Sequence, residues 1–127
     1  MADPSFLLDS NICIYVLRDA AGPVASRLGG CDTGSVVTSM IVYAEVMRGL
    51  SAIEPAAMAG ANRLFELVEP MPFDRQAAET YTQLPFKRAC FDRLIAAHAL
   101  SLGLALVTNN ERDFADIPGL TIENWTV

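Results

Sequence analysis

One histidine, three cysteines and nine basic residues against fifteen acidic ones leave this 127-residue chain short of several common means of doing chemistry or holding a polyanion. The cysteines, Cys13, Cys31 and Cys90, are odd in number and widely separated. They match neither a disulfide framework nor a zinc site and are expected to be small buried apolar groups. No apolar run approaches the ~20 residues that cross a bilayer. Asp3 stands where a signal peptide would carry basic charge, so a cytoplasmic protein without membrane contact is expected. There is no repeat, low-complexity tract or linker, and the length suits a single domain over residues 1–127. The formal charge of −6 argues against a life spent on phosphate backbones. That objection weakens if the acids gather on metal: ions neutralising four carboxylates would leave about −2 and reverse the local field.

What the chain does have is 52% apolar residues, set out as alternating strand and helix signals. Ser5 to Leu8 reads as a short strand opening into Asp9-Ser10-Asn11, three residues that favour helix starts, before a helix from Ile12 to Arg18. Gly22-Pro23 begins a second helix to Leu28. Ser35 to Ser39 reads as a second strand, whose Thr38 and Ser39 can cap a helix from Ile41 to Leu50. Pro55 to Leu67 is helical, and the segment LVEPMPFD, from Leu67, contains a third strand stopped by prolines. Asp74 can cap a helix through Tyr81. The segment FDRLIAAHALSLG, from Phe91, is a helix with Gly103 as its stop. Leu104 to Val107 is a fourth, fully apolar strand, and Leu120 to Ile122 a fifth. Apolar strands alternating with helices imply a three-layer α/β/α fold around a central, mostly parallel sheet of about five strands.

In such a fold ligands bind beyond the carboxyl ends of the strands. Asp9 follows the first strand directly, and Thr108, Asn110 and Asp113 follow the fourth, so both polar groups belong on one rim. Glu45 lies about one turn into the helix after the second strand, and Asp92 opens the helix that feeds the fourth. Four acids from four distant segments can therefore meet, which packing alone does not require. The chemistry that wants such a cluster is oxygen coordination of Mg²⁺, or of Mn²⁺ in its place, for phosphodiester hydrolysis. For any single acid a helix cap or solvated charge is the commoner role; order and placement together favour the metal.

These blocks resemble the PIN-domain ribonucleases, and within them the VapC-type toxins of bacterial toxin–antitoxin pairs. The resemblance spans essentially the whole chain. It rests on FLLDSNICIYVL, TSMIVYAEVMRGL, FDRLIAAHALSLG and above all the closing LVTNNERDFADIPGLTIENW. It implies that Asp9, Glu45, Asp92 and Asp113 are the metal-binding acids, that Ser10 and Thr108 are hydroxyls beside them, and that Asn110 supports the site. Some relatives place the fourth acid where this chain has Asn110; Asp113 is favoured here. The implied activity is metal-dependent endonucleolytic cleavage of RNA that leaves 5′-phosphate and 3′-hydroxyl ends. The implied partners are a cognate VapB-like antitoxin and a second copy of the chain, as a homodimer. The region between the third strand and Asp92 is shorter than in many relatives, which bears on how substrate is clamped.

Lys87, Arg88 and Arg93, a third of the basic residues, flank Asp92 and are candidates for RNA phosphate contacts; a solvated helix start is the plainer role. His98 lies six residues after Asp92, off its helical face, and is expected to be a packed, hydrogen-bonded histidine. Phe6, Phe65, Phe73, Phe86 and Phe91 form no stacking array in sequence and are expected in the core. By resemblance, Trp125 closes the core near the carboxyl end. Three other readings rank lower. A haloacid-dehalogenase-like, aspartate-dependent phosphatase needs an Asp where this chain has Asn11. A receiver domain lacks its acidic pair and its Lys in place. A non-catalytic interaction module would be expected to have lost some of the four acids.

Overall fold

The computed structural model describes residues 2–86 and 90–127. Among the described residues five strands and six α-helices follow one another in the order β1 (Phe6–Leu8), α1 (Ser10–Arg18), α2 (Pro23–Gly29), β2 (Val36–Ser39), α3 (Met40–Ile53), α4 (Met58–Leu67), β3 (Glu69–Met71), α5 (Arg75–Thr82), α6 (Phe91–Leu102), β4 (Ala105–Val107) and β5 (Ile122–Glu123). The helix starts follow from local chemistry. Asp9, Ser39 and Asp74 each accept a backbone N–H of the first turn, from Ile12 at 3.0 Å, Ile41 at 3.1 Å and Ala77 at 3.0 Å. Gly103, at φ 70°, ends α6 in the left-handed conformation that glycine adopts without strain.

All strand pairs are parallel, in the order β3-β2-β1-β4-β5. From β1 the chain steps to β2 and then β3 on one side, then jumps across to β4 and on to β5. Right-handed crossovers therefore lay α1 to α4 on one face and α5 and α6 on the other. Packing agrees, since α1 contacts α2, α3 and α4, while α5 and α6 lie against each other. The place where the path reverses is the crevice between β1 and β4, where open parallel sheets bind ligands. The backbone N–H of Asp9 donates across this crevice to the Val107 carbonyl at 3.0 Å.

The central strands β1, β2 and β4 are covered on both faces, which is why they stand out as largely apolar runs: Leu7, Leu8, Val37, Leu106 and Val107 are all within the core. Trp125 closes the core, only 1% exposed. Its ring meets Phe6 edge to face at 5.3 Å, lies under the Arg27 guanidinium at 5.2 Å, and its Nε1–H donates to Glu123 at 3.0 Å. His98 is buried as expected, with Nδ1 at 2.8 Å from the Ser39 hydroxyl and its ring edge to face with Phe73; burial lowers its pKa.

Three details differ from the sequence reading. β3 takes in Pro70 and ends at Met71, before Pro72, so only the second of the two prolines stops it; β3 is an edge strand, where a missing N–H costs least. β5 begins at Ile122, because Gly119, at φ 80°, still belongs to the preceding turn and pairing with β4 starts at Leu106↔Ile122. Of the cysteines only Cys13 is fully buried, its thiol pushed well above the usual range by that burial, whereas Cys31 and Cys90 are half-exposed.

Candidate active site

The rim above β1 and β4 is built outward from Asp9. Its carboxylate is only 7% exposed because the fold needs it as the cap of α1, in a crevice walled by the strand ends. Burial raises its pKa from 3.8 to about 6. Hydrogen bonds from the Thr108 hydroxyl and the Ile12 N–H oppose that rise, while the negative charges of Asp92 and Glu45 add to it. Asp9, Glu45 and Asp92, on α1's cap, α3 and α6, thus share one electrostatic neighbourhood.

Each remaining member is held by a short-range contact. Glu45 accepts a hydrogen bond from the Ser10 hydroxyl at 2.7 Å. Beyond β4, Thr108 is fully buried, and its Oγ1 accepts the Asn110 backbone N–H at 3.1 Å. Asn110 Nδ2 in turn donates to Asp113 Oδ2 at 2.5 Å. Asp113 sits in a 3-10 turn, Glu111–Phe114, anchored by buried Phe114. It is joined to Asp9 through Asn110 and Thr108, and the neighbouring charges that raise Asp9 are those of Asp92 and Glu45.

Among the described residues no three Asp, Glu, His or Cys side chains converge closely enough to grip an ion as they stand. The donor set nevertheless suits a hard divalent cation: it is all oxygen, largely carboxylate, and its most buried member carries an energetic cost that a cation would remove. Like charges without a counter-ion repel, and here two of the four carboxylates are occupied by neutral donors, Glu45 by Ser10 and Asp113 by Asn110.

The pattern of the PIN domain matches residues 6–120. The chain belongs to the PIN-domain family, in its VapC branch. The tRNA(fMet)-specific endonuclease VapC of Salmonella typhimurium is 32% identical over 94% of this chain and 97% of its own length. Ribonuclease VapC2 of Rickettsia felis is 29% identical over 94% and 97%. The DNA-bound VapBC structure from Salmonella typhimurium superposes with a TM-score of 0.86 at 30% identity, over 96% of this chain and 98% of the matched chain.

Within this PIN domain two sequence expectations need correction. Arg93 is not available to RNA phosphates: it is 4% exposed, and its Nη2 donates to Asp116 Oδ1 at 2.9 Å and to the Asp113 carbonyl at 3.2 Å. It clamps the turn that carries Asp113 onto α6. Lys87 and Arg88 lie outside the described residues. Phe6, Phe65 and Phe73 pack inside, but Phe86 and Phe91 are 76% and 56% exposed. Sequence periodicity could not have flagged Phe91, which stands four residues before Ile95 and eight before Ala99 and so falls on the buried stripe of α6, one turn beyond its covered part.

Proposed function

We propose that this PIN domain is a divalent-metal-dependent endoribonuclease, the toxin of a toxin–antitoxin pair, with Asp9, Glu45, Asp92 and Asp113 as metal ligands and Mg²⁺ as the ion, or Mn²⁺ in its place. One observation carries the reading: a carboxylate buried at the switch point of a parallel sheet and raised further by two neighbouring acids, an arrangement that costs stability until a cation joins it. A bound divalent ion supplies an activated water and charge to stabilise the leaving oxygen. The chain's own residues do the rest. Ser10 orients Glu45, Thr108 and the Ile12 N–H fix Asp9, and Asn110 steers Asp113.

The name of the Salmonella typhimurium relative points to a structured RNA such as a tRNA as the substrate class. The VapBC complexes among the structural neighbours point to a VapB-like antitoxin that neutralises the enzyme, and a homodimer remains the expected assembly. Among the described residues no helix is long and apolar enough to cross a membrane.

Activity titrated against magnesium separates the roles of Asp113 and Asn110. An anionic oxygen holds Mg²⁺ far better than an amide. Asp113→Asn is therefore expected to raise the magnesium midpoint about tenfold, while Asn110→Ala lowers turnover with the midpoint nearly unmoved. The reverse pattern would transfer the fourth ligand's role to Asn110.

Lys87 and Arg88 are tested through salt. If they hold phosphates, neutralising both flattens the plot of log affinity against log salt by about 0.7 for each lost contact to single-stranded RNA. An unchanged slope would assign them to the solvated surface.

A further inference from the structure

The candidate ligand Glu45 also forms one wall of a groove of about 590 Å³ that leaves the rim along α3. Ile41, Ala44, Gly49 and Ala52 line its apolar side, Arg48 adds a cation, and Phe91, the residue before Asp92, closes it from α6. Phe91 is 56% exposed, which a ring of that size has no packing reason to be. Arg48 is exposed and forms no ion pair among the described residues, in a chain where acids outnumber bases. A Cβ built on Gly49 meets nothing within 4 Å, so helix packing does not demand a glycine there.

We propose that this groove seats an unpaired RNA base beside the cleaved phosphodiester, its face on Phe91, with Arg48 holding the next phosphate. The proposal rests on the reading of the rim as an RNA-cleaving site and extends it to substrate choice. Three features favour a nucleotide over an apolar protein segment: the groove is continuous with the proposed metal ligands through Glu45, it sets an exposed ring beside a cation that has no ion pair among the described residues, as single-strand binders do, and its volume exceeds that of one base. Bases in a duplex cannot present a face to Phe91, so the groove selects unpaired loops.

The test measures binding, not cleavage, so it stands apart from the nuclease reading. A fluorescein-labelled RNA hairpin and a fully paired duplex are titrated with the full-length protein in Ca²⁺, followed by anisotropy, with light scattering to record oligomeric state. Gly49→Leu fills the groove and Phe91→Ala removes its platform. Each is expected to weaken hairpin binding about tenfold, with duplex binding and thermal midpoint unchanged and Phe91→Tyr within about twofold of wild type. Unaltered hairpin affinity in both variants overturns the proposal. So does equal weakening toward the duplex, and so does a change of oligomeric state with RNA affinity retained, which would give the groove to a second copy of the chain. Failure of the nuclease reading shows instead as wild-type protein that binds the hairpin but never cuts it in Mg²⁺.

Discussion

Asp9→Asn is expected to lower RNA cleavage by about a thousandfold or more and, at neutral pH without metal, to make the protein more stable. The first effect follows from removing charge at the most buried of the proposed ligands, where ion stabilisation of the transition state would be worth several kcal/mol. The second follows from linkage. The folded protein holds the Asp9 proton to about pH 6, against the usual 3.8, so the stability tied to this group is fully present below about pH 4 and is lost as pH rises through 6. At pH 7.5 the ionised carboxylate therefore costs up to about 3 kcal/mol. Asparagine carries no charge and can still accept the Ile12 N–H, since Asn and Asp cap equally well. Urea denaturation of both proteins in chelator should show a gain of about 1–3 kcal/mol for Asp9→Asn at pH 7.5, vanishing near pH 4. Added Mg²⁺ should then raise wild type and leave the variant nearly unmoved. A variant less stable than wild type at pH 7.5 would mean that Asp9 is there for the fold.

The second large effect is expected at Arg93. Its guanidinium is 4% exposed and joins α6 to the Asp113 carbonyl and the Asp116 carboxylate. Truncating one partner of a buried ion pair costs several kcal/mol. Asp116 is one-third exposed and can rehydrate, which places the loss from Arg93→Ala at about 2–3 kcal/mol. The turn that presents Asp113 would loosen as well, so the magnesium midpoint should rise. Arg93→Lys should recover less than half of the lost stability, because an ammonium cannot span both acceptors in the fork geometry of a guanidinium. Unfolding midpoints and magnesium titrations on the two variants check this. A fall in RNA affinity with stability intact would return Arg93 to the role that the sequence suggested.

Arg93 also shows where sequence reasoning stops. Asp9, Ser39, Asp74 and Gly103 were legible because a cap or a stop is decided within three or four residues. The central strands were legible because positions covered on both faces of a sheet are mostly apolar. Asp9 and Thr108 could be assigned to one rim because each directly follows a strand of a parallel sheet, and they are hydrogen-bonded there. Arg93 looked like a phosphate contact because its partner lies 23 residues away, in a turn whose path no local rule sets. Phe91 looked like core because an exposed ring is unusual, and only α3 opposite it reveals a groove. The start of β5 shifted because one glycine prolonged a turn. Errors of this kind come from contacts made across the fold.

The most direct test of the whole account is the chemistry of the cut ends. Wild-type protein is incubated with a structured RNA in Mg²⁺, and the products are mapped for their terminal groups, with chelator and Asp9→Asn as controls. Hydrolysis by water at a metal-holding carboxylate rim is expected to leave 5′-phosphate and 3′-hydroxyl ends, and to stop in both controls. Products with 2′,3′-cyclic phosphate and 5′-hydroxyl ends, formed equally in chelator, would contradict it, because they arise when the RNA's own 2′-hydroxyl attacks and the four acids have no part.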